Sequence, residues 1–182
     1  MKTKDMVYAA LFAALIAVLG LLPPIPLPFT PVPITVQTLG VMLTGGFLGK
    51  RIGGISALVV VIIATLGAPI LAGGRGGFSV LAGPTGGFLL SWPFAAFTIG
   101  YFTEKFWEGI KIWKLFLINV VGGVIIINLI GAPYLAFITD ISVGAAFLAT
   151  ASFIPGDIVK ALVAAIICIQ VKVISPINEK SK

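Results

Sequence analysis

The sequence predicts an all-α integral membrane protein: a single membrane domain over residues 1–182, with six transmembrane helices and both termini cytoplasmic. Three observations lead there. Of the 182 residues, 59% are hydrophobic and only 10% charged, with a mean hydropathy of +1.16, whereas a soluble domain carries roughly a quarter charged residues. Six segments approach the roughly 20 apolar residues that a helix needs to cross the hydrocarbon. The basic residues, finally, fall almost entirely on alternate loops between those segments, as the positive-inside rule requires of a multi-pass chain.

The first segment, 6–22, is read as a retained helix rather than a cleaved signal, because Pro23, Pro24 and Pro26 follow it with no small-residue cleavage site. The second, 34–48, is short and contains Gly and Thr; the third, 52–71, is continuous and apolar. The fourth, 87–102, is again short, the fifth covers 112–130, and the sixth covers 154–174. The apolar stretch 144–153 is too short to span alone and reads as a lead-in to the sixth. Threaded with the amino terminus inside, Lys2, Lys4, Lys50, Arg51, Lys105, Lys111, Lys114, Lys172, Lys180 and Lys182 share the cytoplasmic side. Arg75 alone lies opposite, and Lys160 sits inside the sixth segment. The net charge of +6 is therefore an orientation and lipid-contact signal, not the footprint of a nucleic-acid binder.

The same inventory excludes whole classes of chemistry. One cysteine allows no disulfide framework, and the absence of histidine leaves no ordinary zinc site. The run 45–51 has the wrong glycine spacing for a phosphate loop, and no metalloprotease, nucleophile-elbow or paired-carboxylate motif occurs. No catalytic, cofactor or metal residues are assigned; the chain reads as a ligand-binding protein energised by something else.

Polar groups inside a bilayer are costly, so they are the best functional markers. Asp157 and Lys160 stand three residues apart on one face of the sixth helix, just after Pro155-Gly156. They form either a self-satisfied pair at the helix start or an acceptor and a cation offered to a ligand. The loop 72–87 holds seven glycines in the fifteen residues from Gly73 to Gly87, with Arg75 among them. Its backbone can approach a ligand closely, and a guanidinium can clasp a carboxylate through two parallel hydrogen bonds; the bland alternative is a flexible connector.

Six prolines in residues 23–33 stiffen that loop into an extended path, either a lid over a pocket or a rigid connector. Gln37 follows it, placed to hydrogen-bond a neighbouring helix or a ligand. Ala9, Ala13 and Ala17 recur at every fourth position of the first helix, a spacing that lets another helix come close, whether in this chain or in a partner. Asn119 and Asn128 in the fifth segment read as interhelical hydrogen-bond groups ahead of ligand contacts.

Several of these motifs together resemble one family. The run Pro28-Phe29-Thr30-Pro31-Val32-Pro33-Ile34-Thr35-Val36-Gln37-Thr38-Leu39-Gly40, the Ala72-Gly73-Gly74-Arg75-Gly76-Gly77 stretch, Gly83-Pro84-Thr85-Gly86-Gly87 and Pro155-Gly156-Asp157 with Lys160 are similar, in order and over the whole chain, to the biotin-specific substrate-binding (S) components of energy-coupling-factor (ECF) transporters, the BioY family. The resemblance implies a six-helix S-component fold in a bacterial or archaeal cytoplasmic membrane. It also implies biotin as transported ligand, and as partners a transmembrane T component with two cytoplasmic ATPases; the S component topples in the bilayer to release substrate. It carries substrate-binding roles to Asp157, Lys160, Arg75 and the run from Gly83 to Gly87, with Gly86 and Thr85 inside it, and the T-component face to Ala9, Ala13 and Ala17. Matching biotin's groups to the residues, Asp157 accepts a ureido N–H, Lys160 or Arg75 takes the carboxylate, and Phe78 or Tyr134 lines the apolar body. Two alternatives stay open: a proton-coupled secondary carrier for a small organic acid, with Asp157 as the titrating group, and an S component for a different vitamin.

Overall fold

The computed structural model describes residues 2–177, so Lys180 and Lys182, assigned above to the cytoplasmic side, lie outside the described residues. Helix α1 (Thr3–Leu19) leads into a two-stranded antiparallel hairpin, β1 (Ile25–Leu27) with β2 (Thr30–Ile34), and then α2 (Gln37–Thr65). A loop with the short helix α3 (Phe78–Leu81) precedes α4 (Gly86–Lys105). Helix α5 (Ile112–Val120) continues through a π-helical segment (Val121–Ile126) into α6 (Ile127–Thr139). Helices α7 (Val143–Ala151) and α8 (Ile154–Gln170) end the bundle, with a 3₁₀ turn (Lys172–Ile174) beyond.

The second and third predicted segments follow one another in α2 without an intervening loop, but they are not one rod. Twenty-nine residues of straight helix would measure about 44 Å, well beyond the roughly 30 Å of hydrocarbon. The run breaks at Gly49, whose φ of 81° and ψ of −179° lie in a region only glycine occupies freely. Its two limbs, 37–48 and 50–65, then fold back on each other. The Gln37 amide nitrogen donates to the carbonyl of Ile70, 3.1 Å away, and a side chain at Gly53 would press on Thr44 and Gly45. The basic pair Lys50-Arg51 thus marks a reversal, as the charge pattern expected. Helix α4 packs into the bend: a Cβ at Gly100 would collide with the backbone of Gly49 and Lys50, so the missing side chain is what permits the contact.

The stretch expected as a lead-in to the sixth helix is a helix of its own, α7, meeting α8 at 57°. Ile112–Thr139 is long and apolar enough to cross a membrane as one rod, Gln37–Thr65 reaches the same length and hydropathy only as the sum of its two folded limbs, and α7 with α8 forms a further candidate as a bent pair. Pro31 and Pro33 put β2 in an extended path, and the hairpin registers Leu27 against Thr30 and Ile25 against Ile34. This is the only sheet among the described residues.

The surface explains the composition. Leu11, Val18, Phe94, Phe97, Leu129, Phe137 and Val159 all point outward, Phe137 with 84% of its area exposed. Such a continuous apolar skin would aggregate in water and suits lipid. Inside, buried hydroxyls are satisfied by their own helices: Thr44 donates to Gly40 O, Ser56 to Ile52 O and Ser91 to Phe88 O. The charged groups Asp157, Lys160 and Arg75 stand out against this background, and they gather around one cavity.

Candidate functional site

At the end of the bundle opposite the Gly49 bend lies an open-mouthed cavity. Its wall comes from β2 and the residues after it, the loop 71–85, and helices α4, α6 and α8. The proline-rich segment 23–33, read as either a lid or a rigid connector, contributes Val32 and Pro33 to that wall, and Ile34 and Thr35 follow directly.

Asp157 stands in the first turn of α8, where the helix dipole favours an acid. Its Oδ1 accepts from Lys160 Nζ at 2.8 Å and from Thr38 Oγ1 at 3.3 Å. Lys160 Nζ also donates to the carbonyl of Thr35 at 2.6 Å and to Thr38 Oγ1 at 3.1 Å. An ammonium has three donors, and here each has an acceptor. Lys160 therefore ties α8 to the β2–α2 junction and positions Asp157, while the cited bonds of the carboxylate all fall on Oδ1. Both side chains are largely buried, at 13% and 8% exposure, and both line the cavity. The pair is thus satisfied within the chain at Oδ1, while the residue that carries the second carboxylate oxygen lines the cavity.

Arg75 is the other cation at the cavity. Its backbone exchanges two hydrogen bonds with Leu71, at 3.0 and 3.2 Å, closing a tight turn through Gly73 and Gly74, both at positive φ. Its Nε donates to Ala72 O at 3.1 Å, which anchors the guanidinium and leaves its terminal nitrogens uncommitted. Among the described residues, no carboxylate pairs with it. Thr85 lines the same cavity.

Other predicted site residues do different work. Gln37 borders the cavity, but its amide is fully used: Nε2 donates to Ile16 O and Ile70 O, and Oε1 accepts from Ala72 N. It staples α1, α2 and the glycine loop together. Tyr134 is absent from the cavity wall; its hydroxyl donates to Leu81 O at 2.7 Å and holds the loop against α6. Phe78 is 69% exposed and also outside the wall. Neither Gly83 nor Gly86 lines the cavity, and Gly86 packs against the Leu81 carbonyl and the Tyr134 ring.

The aromatic lining comes instead from Phe88, Trp92 and Phe153. Phe88 and Phe153 meet edge to face, with ring centroids 6.2 Å apart. Nothing in the local sequence separated these from ordinary core residues, since only the convergence of α4 with the α7–α8 junction brings them together. Asn119 behaves as an interhelical group, donating to Ala161 O at 3.1 Å. Asn128 does not: its Nδ2 bonds Val124 O of its own chain segment at 2.9 Å, and the residue lines the cavity.

Ala9 and Ala13 are buried in the chain's own core, and Ala17 is half-buried. As a docking face for a separate partner helix, that row is corrected by the structure: the 3.6-residue period turns positions 9, 13 and 16 toward α2, where Gly40 lies against Ile16 and Leu19. The outward side of α1 carries Val7, Ala10, Leu11, Ala14 and Val18.

The cavity therefore offers an open guanidinium, a buried carboxylate braced by a lysine, a free hydroxyl and three aromatic faces. That set suits a small amphipathic acid with N–H donors on an apolar frame. Residues 1–176 match the BioY family. The chain is 45% identical to the biotin transporter BioY of Rhizobium etli, across 92% of each protein. It is 43% identical to the probable biotin transporter BioY of Bacillus subtilis, across 94% of this chain and 91% of that one. A crystal structure of the S-component for biotin from an ECF-type ABC transporter superposes with a TM-score of 0.90, at 36% identity, covering 94% of this chain and 92% of the other.

Proposed function

Since the chain belongs to the BioY family, we propose that it captures biotin as the substrate-binding S component of an ECF-type ABC uptake transporter. The observation that carries this reading is the pairing, in one cavity, of Arg75 with open donors and Asp157 with an open oxygen. Arg75 takes the valerate carboxylate, a role that Lys160, with all three donors engaged, does not share. Asp157 accepts a ureido N–H, Thr85 adds a hydroxyl, and Phe88, Trp92 and Phe153 enclose the thiophane ring and the chain. The protein itself is no enzyme; a transmembrane T component and two cytoplasmic ATPases supply the energy. Those partners meet the outward side of α1 rather than Ala9 and Ala13, which are used internally.

The chain crosses the cytoplasmic membrane of a bacterium or archaeon six times: α1, the two limbs of α2, α4, the rod through α5 and α6, and α8 with α7 as its bent entry. Lys2, Lys4, Lys50, Arg51, Lys105, Lys111, Lys114 and Lys172 gather at the Gly49 end, against Arg75 and Lys160 at the cavity end. This distribution supports cytoplasmic termini and a cavity that opens outside. A proton-coupled carrier for a small organic acid is not favoured, since the similar proteins named above are biotin transporters and a biotin S-component.

Isothermal titration of the purified protein with biotin, dethiobiotin and other vitamins tests the substrate. Biotin is expected to bind most tightly, with dethiobiotin next. No heat with biotin, together with saturable heat from another vitamin, would overturn the reading. Uptake in cells is expected to vanish when the partner ATPases are lost and to survive an uncoupler.

A further inference from the structure

The geometry points to Asn128 as a specificity-determining residue whose Oδ1 accepts a second N–H from the bound ligand; this rests on the biotin reading above. Among the described residues, four buried side-chain polar atoms have no hydrogen-bond partner: Thr103 Oγ1, Trp107 Nε1, Asn119 Oδ1 and Asn128 Oδ1. Of the four residues, only Asn128 lines the cavity. Its orientation is set by the bond from Nδ2 to Val124 O at 2.9 Å, because a carbonyl accepts only from the nitrogen end of the amide. The oxygen end is left as an acceptor shut off from bulk water. Buried acceptors are nearly always paired in folded proteins, so an unpaired one on a ligand cavity marks a place where the ligand brings the donor.

The backbone places it there deliberately. Asn128 sits two residues after the π-helical segment Val121–Ile126. A π turn inserts one extra residue into the helical count, which rotates everything beyond it relative to a regular helix, and such insertions gather at functional sites. In the same rod, Asn119 before the insertion faces α8 and Asn128 after it faces the cavity. The π segment is itself locked in place: side chains at Gly122 and Gly123 would strike Ile99 and Met42. A cyclic urea has two N–H groups, one on each side of its carbonyl, and the cavity then has an acceptor for each, Asp157 and Asn128. Ligands that present lone pairs at that position would leave the Asn128 oxygen facing another acceptor and be rejected.

The test is a set of titrations of wild type and Asn128→Ala with biotin and with biotin methylated on one or the other ureido nitrogen. Asn128→Ala is expected to lose biotin affinity about tenfold or more. The same substitution should change affinity less than about twofold for whichever methylated ligand lacks the N–H that Asn128 receives. An equal loss for all three ligands, or no loss for biotin, overturns the assignment. Should Asn128→Ala not yield folded protein, Asn128→Ser, whose hydroxyl can still donate to Val124 O, is read by the same ratios. Wild type that binds none of the three defeats the biotin reading itself, an outcome distinct from wild type and variant binding biotin alike.

Discussion

The two ends of this bundle use the same kinds of residue for opposite purposes. At the Gly49 end, polar groups close the chain on itself. Glu104 accepts from the Lys50 backbone N–H at 3.1 Å, at the start of the second limb of α2. Lys172 donates to Trp107 O at 2.8 Å over the indole face, and Ser175 Oγ donates to Phe47 O at 2.7 Å. At the cavity end, Gln37 and Lys160 are fully engaged as braces, while three other side chains are held by one part of their hydrogen-bonding capacity and left open by another. Asp157 is engaged at Oδ1, Arg75 at Nε and Asn128 at Nδ2. The difference teaches how a binding end can be told from a structural one: its open polar groups share one cavity, whereas the unpaired Thr103 Oγ1 and Trp107 Nε1 at the Gly49 end belong to residues that do not line it.

Substitutions can break that contrast, and the largest effect should come from Lys160→Met. It strands the Asp157 carboxylate in a largely buried setting, where removal of one partner costs up to about 3–5 kcal/mol. Melting of the detergent-solubilised protein and biotin affinity should both fall, because the brace and the site share the lysine. Gly49→Ala comes next and should affect stability alone. Its φ of 81° with extended ψ carries strain of about 1–3 kcal/mol for a side chain, and the added Cβ meets Glu104. The melting temperature should drop while the folded fraction binds biotin normally; a parallel loss of affinity would show that the two ends are coupled.

Arg75→Lys should do the reverse. A point charge replaces a fork anchored at Ala72 O, so affinity for biotin should fall about tenfold with unchanged melting. The loss should shrink for the uncharged amide of biotin, as measured by titration. The smallest effect on binding belongs to Ser175→Ala, which removes two neutral hydrogen bonds, from Ser175 Oγ to Phe47 O and from the Ile177 N–H to Ser175 Oγ, each worth about 0.5–1.5 kcal/mol, and should leave biotin affinity untouched. A change in biotin affinity there would contradict the division between the ends.

Four residues that line the candidate cavity were legible in the sequence. Asp157, Lys160 and Arg75 were conspicuous because charge in an apolar chain is expensive, and Thr85 because it sits in the glycine run. The structure reassigned Gln37 and Tyr134, whose hydrogen bonds go to Ile70, Ala72 and Leu81. Amides and phenols in a bilayer need partners whether or not a ligand exists, and spacing alone does not say which. The alanine row was read correctly as a close-packing face, but its periodicity carried no sign of inside or outside.

Composition, hydropathy and the placement of lysines determined the class of this protein, its tendency to fold into apolar helices and the loops where chemistry would gather. These are local or summed properties, and a linear chain displays them in full. The tertiary structure alone decided which donors and acceptors remain uncommitted, that the aromatic wall is Phe88, Trp92 and Phe153, and that a π turn swings Asn128 toward the cavity. Each of those depends on which atoms meet across elements far apart in the chain, and hydrogen-bond satisfaction is a property of such meetings rather than of any residue by itself.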